Sequence, residues 1–271
     1  MSGKMSVELG SVQLTLLLPL WGRAIETRKQ KPLLRDETAE EIISKIDYDF
    51  SRMALNVQDV TQFEWICRSI HIDRTIKEFL RVHPEASIVN AGCGLDTTFD
   101  RVDNGKLMWY ELDLPDVIEL RRRFIPETPR RKFISSSFLD ESWFPEIRAG
   151  NGVLFMAAGV LYYFNEQEVK QIFRSLASFF PDSDFIFDAA SPVGLKAANE
   201  QLIKKVGLDE KSFMKWALPD ASEIRQWDIK LKSAEQYLMY KGMKKGLSVK
   251  NKIISSLADH YKMMYMVHLK F

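Results

Sequence analysis

Two glycines and an aspartate have the spacing of a nucleotide-binding loop. Gly92 and Gly94 flank Cys93 directly after the apolar run 87–91, and Asp113 ends a second apolar run further along the chain. Glycines at such a place let a ligand approach the backbone where a helix begins, and a carboxylate at the next strand end can accept hydrogen bonds from both hydroxyls of a ribose. The three residues therefore predict a site for a nucleoside-bearing cofactor, with a purely structural turn as the alternative.

The cofactor that these residues favour is S-adenosylmethionine. A dinucleotide fingerprint requires a third glycine three residues after the second, and position 97 is Thr. The chain also has no Gly-Lys-Ser/Thr loop for nucleoside triphosphates. A nucleoside without a pyrophosphate needs only the Gly-x-Gly opening and the acid, and S-adenosylmethionine has that shape. Thr97 thus disfavours a nicotinamide oxidoreductase.

The elements that must position this loop follow from two kinds of periodicity. Residues 1–85 are predicted to form a helical N-terminal cap, with helical spacing over 59–82 and a break near His71. Residues 86–271 are predicted to be the cofactor-binding core of the same compact unit. Its short apolar runs alternate with helical patterns, which predicts a doubly wound, mostly parallel α/β sheet. The five runs are 87–91, 107–112, 132–136, 152–157 and 184–190.

Three further elements are predicted after the fourth run. Residues 165–180 have helical spacing and begin with a capping box of Asn165 and Glu168. Residues 192–228 form an insertion after the fifth strand and are predicted to be an acceptor lid. A helix with Val249, Ile253, Ile254 and Leu257 on one stripe and an alternating terminal strand follow it.

Composition excludes several classes of function. A net charge of +1 gives no global field for nucleic acid or an anionic membrane. The apolar stretch 11–21 is too short to span a bilayer and contains Pro19, so it is predicted to be a packed helix. Two cysteines and four histidines show neither a disulfide framework nor metal-ligand spacing. We therefore expect a cytoplasmic protein without a metal; the sequence does not indicate the oligomeric state.

Several stretches resemble the leucine carboxyl methyltransferase family, in its bacterial branch of polyketide O-methyltransferases. They are "IVNAGCGLDTTFDR" (88–101), "WYELDLPDVIELRR" (109–122), "GVLYYF" (159–164) and, upstream, "GRAIETRKQKPLLRDETAEEI" (22–42). The resemblance implies a class I methyltransferase fold of the Rossmann-like type with S-adenosylmethionine as donor. It further implies that Gly92 passes the methionine part of the cofactor and that Asp113 binds the ribose. Arg68 would reach the cofactor carboxylate, with Arg23 in a similar role.

Two positions depart from the family pattern. Ser137-Phe138 stands where the family often has Asp-Leu near the adenine; a serine accepts a hydrogen bond from the adenine amine, and Phe138 packs on the ring. Ala158 stands where the family usually has Glu, so a carboxylate near the cofactor is missing. A cofactor-binding protein without catalysis is therefore an alternative.

The acceptor side is less defined by sequence. Tyr162, Tyr163 and Trp216 are predicted to line it. No Ser–His or Cys–His nucleophile is evident, and methyl transfer to a carboxylate needs none, because the acceptor is already ionised at neutral pH. The predicted function is an S-adenosylmethionine-dependent O-methyltransferase of a small-molecule carboxylate, with a protein C-terminal carboxylate as runner-up. The sequence does not identify the acceptor.

Overall fold

The computed structural model describes residues 5–6, 11–51, 57, 59–200 and 213–271. Its main element is a seven-stranded sheet with the order β5-β4-β3-β6-β7-β9-β8. The strands are β3 (Ser87–Ala91), β4 (Met108–Asp113), β5 (Arg131–Ser135), β6 (Val153–Ala157), β7 (Asp184–Ala190), β8 (Ser233–Leu238) and β9 (Met264–Lys270). A separate parallel pair joins β1 (Met5–Ser6) to β2 (Ile46–Asp47).

The topology confirms the predicted fold class. Strands β3 to β7 are parallel, whereas β9 runs antiparallel to both β7 and β8. The strand order reverses between β3 and β6. Strands β4 and β5 lie on one side of β3, whereas β6 and β7 lie on its other side. In an open α/β sheet this reversal leaves a crevice above the carboxyl ends of the strands, where ligands bind. The glycine loop follows β3 directly and therefore lies at this crevice.

Helices cover both faces of the sheet. They are α1 (Ser11–Thr27), α2 (Glu37–Lys45), α3 (Asp59–Val82), α4 (Thr98–Val102), α5 (Pro115–Arg122), α6 (Glu166–Phe179), α7 (Pro192–Ala198) and α8 (Val249–His260). Short 3-10 segments lie at Phe144–Glu146, Leu161–Tyr163 and Ala221–Gln226. No helix in the described part of the chain is long and apolar enough to cross a membrane.

The central strands β3, β6 and β7 are buried on both faces, and successive residues alternate between two cores. Val89 and Phe155 belong to the core that α6 covers with Val169 and Phe173. Ile88 and Leu154 belong to the other core, which α3 covers with Ile72 and Ile76. A third cluster packs α1 and α2 against α3 and α5. The predicted Asn165–Glu168 capping box is present at the start of α6.

Two predictions about single elements are wrong or incomplete. Helix α3 runs through His71 without the predicted break, because no proline or glycine interrupts it there. The His71 ring lies 3.1 Å from the Met239 carbonyl, within hydrogen-bond distance. Strand β8 was absent from the sequence-based prediction; it is a half-exposed edge strand with weak alternation. In α8 the apolar stripe of Val249, Ile253 and Leu257 faces outward.

A buried ion network fixes the N-terminal cap to the glycine loop. Asp36 caps α2 with one carboxylate oxygen, and its other oxygen accepts hydrogen bonds from Arg23 (2.8 Å), Thr97 (2.5 Å) and Arg101 (2.7 Å). Arg101 also forms a two-pronged pair with Asp73 on α3 at 2.8 and 2.9 Å. Thr97, which stands where a dinucleotide-binding loop has its third glycine, therefore joins the cap to the start of α4.

Candidate cofactor and acceptor site

A cavity of about 660 Å³ lies at the carboxyl ends of β3 and β6. This volume is within the range of roughly 300–1,000 Å³ that small-molecule and cofactor sites occupy. All seven residues predicted to bind the cofactor line it: Arg23, Arg68, Gly92, Gly94, Asp113, Ser137 and Phe138. The structure thus brings together residues that lie far apart in sequence, and their contacts show what each can do.

The glycine loop has a left-handed backbone at both glycines, with φ of +65° at Gly92 and +46° at Gly94. A Cβ atom at Gly92 would lie 2.5 Å from a methyl carbon of Val160, in the loop that follows β6. A Cβ atom at Gly94 would lie 2.9 Å from the Leu16 side chain. Gly92 is therefore required both by its backbone conformation and by packing against Val160, and Gly94 by its backbone conformation, besides lining the cavity.

Asp113 shapes this loop and keeps acceptor capacity for a ligand. Its two carboxylate oxygens accept hydrogen bonds from the backbone N–H of Gly94 (2.7 Å) and of Leu114 (2.8 Å). An ionised carboxylate has about four lone-pair sites, so each oxygen retains one for a ribose hydroxyl. Burial raises the pKa of Asp113, while the two N–H donors act in the opposite direction. These contacts fit a ribose-binding role.

Arg23 and Asp96 give the glycine-loop side of the cavity one cation and one anion. The Arg23 guanidinium pairs with Asp36 at 2.8 Å and has an Asp96 oxygen 3.9 Å away. Burial would raise the pKa of Asp96, but Arg23, Arg101 and the hydrogen bonds from Thr98 together outweigh burial and lower it, so Asp96 stays ionised at neutral pH. A pair of opposite charges fits an amino-acid group, which carries both an ammonium and a carboxylate. Sequence reasoning missed Asp96, although it lies within the glycine motif.

Arg68 is held by Asp188 on β7. Its guanidinium pairs with one Asp188 oxygen at 2.9 Å, and the other oxygen accepts the Gly159 N–H at 2.7 Å. Burial disfavours the charged guanidinium, yet Asp188 outweighs burial and raises the pKa of Arg68, which therefore stays protonated. Asp188 thus fixes both the arginine and the loop after β6, beside Ala158, which also lines the cavity.

Ser137 and Phe138 follow β5 and form another part of the cavity wall. The Ser137 hydroxyl accepts the Leu139 N–H at 3.2 Å. The Phe138 ring packs edge-on against Phe164 and Phe185, with centroid distances of 6.5 and 6.3 Å. A rigid aromatic ring beside a hydroxyl fits an adenine, and this role remains a prediction.

The residues predicted to line the acceptor side are divided by the structure. Tyr162 and Tyr163 line the cavity, whereas Trp216 is buried in the core beside Trp227, 6.2 Å away between ring centroids. The backbone explains the difference, because the N–H groups of Lys215 and Trp216 both bond to the Tyr162 carbonyl. This turn directs Met214 into the cavity instead. The Asn199 side chain holds Met214 in place, because it accepts a hydrogen bond from the Met214 backbone N–H at 2.9 Å and donates one to the Met214 carbonyl at 3.0 Å.

Glu64 is a cavity-lining group that sequence reasoning missed. It lies one helical turn before Arg68 on α3, and its carboxyl accepts a hydrogen bond from the Tyr240 hydroxyl at 3.1 Å. Burial and, more weakly, Asp188 raise the pKa of Glu64 to about 7, against the opposing effects of Arg68 and Tyr240. Within the described residues no group of His, Cys, Asp or Glu side chains could hold a metal ion. Its pKa makes Glu64 a group of this cavity that titrates near neutral pH.

Comparisons with known proteins show what this chain is similar to. The family model described as leucine carboxyl methyltransferase matches residues 17–177. The chain is 34% identical over 204 residues to the tetracenomycin polyketide synthesis O-methyltransferase TcmP of Streptomyces glaucescens, covering 74% of this chain and 75% of that protein. It is 27% identical over 240 residues to the S-adenosyl-L-methionine-dependent methyltransferase dpfgK of Gibberella zeae, covering 82% and 80%. A solved Thermobifida fusca structure has the same fold, with a TM-score of 0.60 at 14% identity over 98% of this chain and 95% of that one.

Proposed function

The chain belongs to the leucine carboxyl methyltransferase family and is an S-adenosylmethionine-dependent methyltransferase; from this premise we propose that it methylates a carboxyl group of a small, largely apolar molecule. The observation that carries the proposal is one continuous cavity that is lined both by the glycine loop with Asp113 and by an apolar wall. Donor and acceptor can therefore meet inside the protein, away from bulk water.

The donor side of the proposal rests on the fit of the glycine loop, Asp113 and Phe138 described above. When bound, S-adenosylmethionine supplies a methyl group on a sulfonium, so the carbon–sulfur bond breaks with its electron pair going to sulfur. The protein's part is to align the acceptor oxygen with that bond and to exclude water. Gly94 and Asp113 set the donor's position, and Arg23 and Asp96 carry charges that match its amino-acid group.

The acceptor side supports a small apolar molecule. Met214, Tyr162, Tyr163 and Ala258 line this part of the cavity, and TcmP, by its name, acts in the synthesis of a polyketide. A carboxylate on such a molecule is ionised at neutral pH and can attack without losing a proton. A protein C-terminal carboxylate remains the alternative within the carboxyl class.

A hydroxyl or phenol is the second candidate acceptor, and Glu64 is the observation that favours it. A carboxyl group whose pKa is near 7 can accept the proton that a phenol must lose. The two candidates give chemically different products, because a carboxylate yields a methyl ester and a phenol yields a methyl ether.

The test is a screen with methyl-labelled S-adenosylmethionine against aromatic carboxylic acids, free C-terminal peptides and phenols. We expect labelled product from small carboxylic acids, identified as an ester because mild alkali releases labelled methanol from it. Alkali-stable ether as the product would contradict the carboxyl assignment, and preferred turnover of peptides would move the acceptor to a protein C-terminus. The Asp113→Ala variant serves as a control that should lower turnover with every acceptor.

A further inference from the structure

Helix α8 carries a stripe of apolar side chains on its outer face. Val249, Ile253 and Leu257 of the helix and Tyr261 directly after it follow one another at intervals of four residues, and each is between 52% and 74% exposed. Residues at this spacing form one row along a helix, because 3.6 residues make a turn. Single exposed apolar residues need no explanation, whereas a contiguous row of them marks a surface that contacts a partner.

The inner side of α8 forms part of the acceptor side of the cavity. Ile254 and Ala258 each lie one residue beyond a member of the stripe, so about 100° of helical rotation separates them from it. Both line the cavity wall. A partner that covers the outer stripe is therefore one helix thickness away from the acceptor side.

The stripe lies next to lysines that have no acidic partner. The stretch 241–252 contains five lysines and no acidic residue. Lys244 pairs with the buried Asp259 at 3.2 Å. The other four are exposed and form no ion pair with any residue that the structure describes; they are Lys241, Lys245, Lys250 and Lys252.

These lysines flank the stripe along its length. Lys241 and Lys245 line a shallow surface depression together with Ser256 and His260 of α8. Around the helix, Ser256 lies on one side of the stripe and the cavity wall lies on the other. The surface therefore changes from basic to apolar on the way from the depression to the cavity. One exposed acid, Asp59, adjoins the start of α8, and the four unpaired lysines outnumber it.

We propose that the α8 face, which consists of the apolar stripe and its four unpaired lysines, docks on an anionic phospholipid surface. Apolar side chains flanked by lysines on a convex helix are typical of segments that lie in a membrane interface, where the side chains enter the acyl region and the ammonium groups meet phosphates. Tyr261 has an apolar ring and a polar hydroxyl and suits that depth. The net charge of +1 gives no global attraction to a membrane, so the attraction is local to this face.

An acidic protein is the other partner that these charges would fit, and two features favour lipid. The chain has no arginine after Arg225, so the positive charges of the α8 face are lysines. Protein interfaces are enriched in arginine and depleted in lysine. A protein would also have to supply a groove that matches the convex stripe, whereas a fluid lipid surface adapts to it.

The test is co-sedimentation of the protein with sucrose-loaded phosphatidylcholine vesicles that contain about one-third phosphatidylglycerol, an anionic lipid. We expect binding at low salt, weaker binding at high salt because salt screens the lysines, and little binding to pure phosphatidylcholine. The assay needs neither acceptor nor turnover. Its result is therefore independent of the proposed carboxyl methylation.

Two double variants separate the charges from the apolar stripe. Lys245→Gln/Lys250→Gln should raise the lipid concentration at half-binding by roughly thirtyfold, because each lysine near an anionic surface contributes about fivefold. Ile253→Ser/Leu257→Ser should raise it by roughly tenfold to hundredfold, because two apolar side chains no longer enter the lipid. None of these residues lines the cavity, so both variants should bind S-adenosylhomocysteine as tightly as wild type.

Matched controls remove the same kinds of group elsewhere. Lys106→Gln/Lys132→Gln removes two exposed lysines beside β4 and β5, at the opposite edge of the sheet from β8. Val82→Ser removes an apolar side chain that is 73% exposed at the end of α3. Both controls should bind vesicles as wild type does.

Several results would overturn the proposal. They are equal binding to neutral and anionic vesicles, unchanged binding in either α8 double variant, and an equal loss of binding in the controls. Failure to bind any vesicle at low salt would overturn it as well. Lysine-dependent retention of the protein on an immobilised acidic helical peptide would in that case assign the α8 face to an acidic protein.

Discussion

Replacement of Asp113 by Ala tests the donor site and should affect stability and cofactor binding separately. The variant leaves the Gly94 N–H without its 2.7 Å partner, and a hydrogen bond to a charged group contributes about 1.5–3 kcal/mol. The Leu114 N–H loses its partner too, but Leu114 is half exposed and water can replace the carboxylate there. We therefore expect the free energy of unfolding in urea to fall by about 1.5–3 kcal/mol.

Cofactor affinity should fall by a further, independent amount. Loss of the hydrogen bonds from Asp113 to the ribose should weaken S-adenosylhomocysteine binding by roughly ten- to hundredfold in calorimetry, since about 1.4 kcal/mol corresponds to tenfold. Asp113→Asn keeps the shape and one acceptor oxygen, so its loss should be intermediate. Asp116→Ala is the matched control, because this acid lies exposed in the first turn of α5 and should cost under about 1 kcal/mol in stability and nothing in affinity. A lower stability with unchanged affinity in Asp113→Ala would show that the carboxylate only holds the glycine loop.

Three further perturbations test the packing and charge of the site. Gly92→Ala should lower the free energy of unfolding for two reasons: the left-handed backbone at this position, worth about 1–2 kcal/mol, and the clash of the new Cβ with Val160. The double variant Gly92→Ala/Val160→Ala should regain only the part of the stability that was lost to the clash. Full recovery in urea unfolding would contradict the backbone argument. Arg101→Met leaves Asp73 buried without its partner and should lower the free energy of unfolding by about 3–5 kcal/mol. Faster proteolysis in the N-terminal cap is the second readout, and wild-type resistance to the protease would show that the network is dispensable. The pKa of Glu64 is about 7 in the folded protein against an ordinary 4.5, so the folded state holds this proton more tightly than the unfolded state. The stability that the protonated Glu64 contributes should therefore be lost as the pH rises from 4.5 through 7. Glu64→Gln should lose less stability than wild type between about pH 5 and 8, and parallel curves of stability against pH would refute the assignment.

The sequence defined those parts of the fold whose pattern is local. Buried parallel strands produce continuous apolar runs, and the helix that begins with Asn165 and Glu168 has both a capping box and a 3.6-residue stripe. The position of Asp113 beside the glycine loop could be predicted in the same way, since it depends on the end of one strand and a fixed distance from the glycines. Local patterns do not specify which face of a helix packs. In α8, Val249 and Ile253 are exposed, whereas the face that packs carries Ser255 and Ala258.

The acceptor side could not be predicted because its properties arise from distant contacts. The raised pKa of Glu64 depends on burial and on Asp188, and its hydrogen-bond partner Tyr240 lies 176 residues away in the chain. No spacing within α3 distinguishes Glu64 from an ordinary solvent-facing glutamate. Trp216 shows the converse error: an aromatic residue in an insertion suggests a ligand wall, but the hydrogen bonds to the Tyr162 carbonyl turn it into the core.

The departure at Ala158 takes a different meaning once the charges of the cavity are known. Methyl transfer to a carboxylate consumes one positive and one negative charge and leaves two neutral products, so surroundings of low polarity favour it. In this cavity Asp188 is already compensated by Arg68, and Glu64 can be neutral. Ala158 adds no further charge to these groups. Because a carboxylate acceptor is already ionised and needs no general base, the missing carboxylate at position 158 does not argue against methyl transfer to a carboxylate.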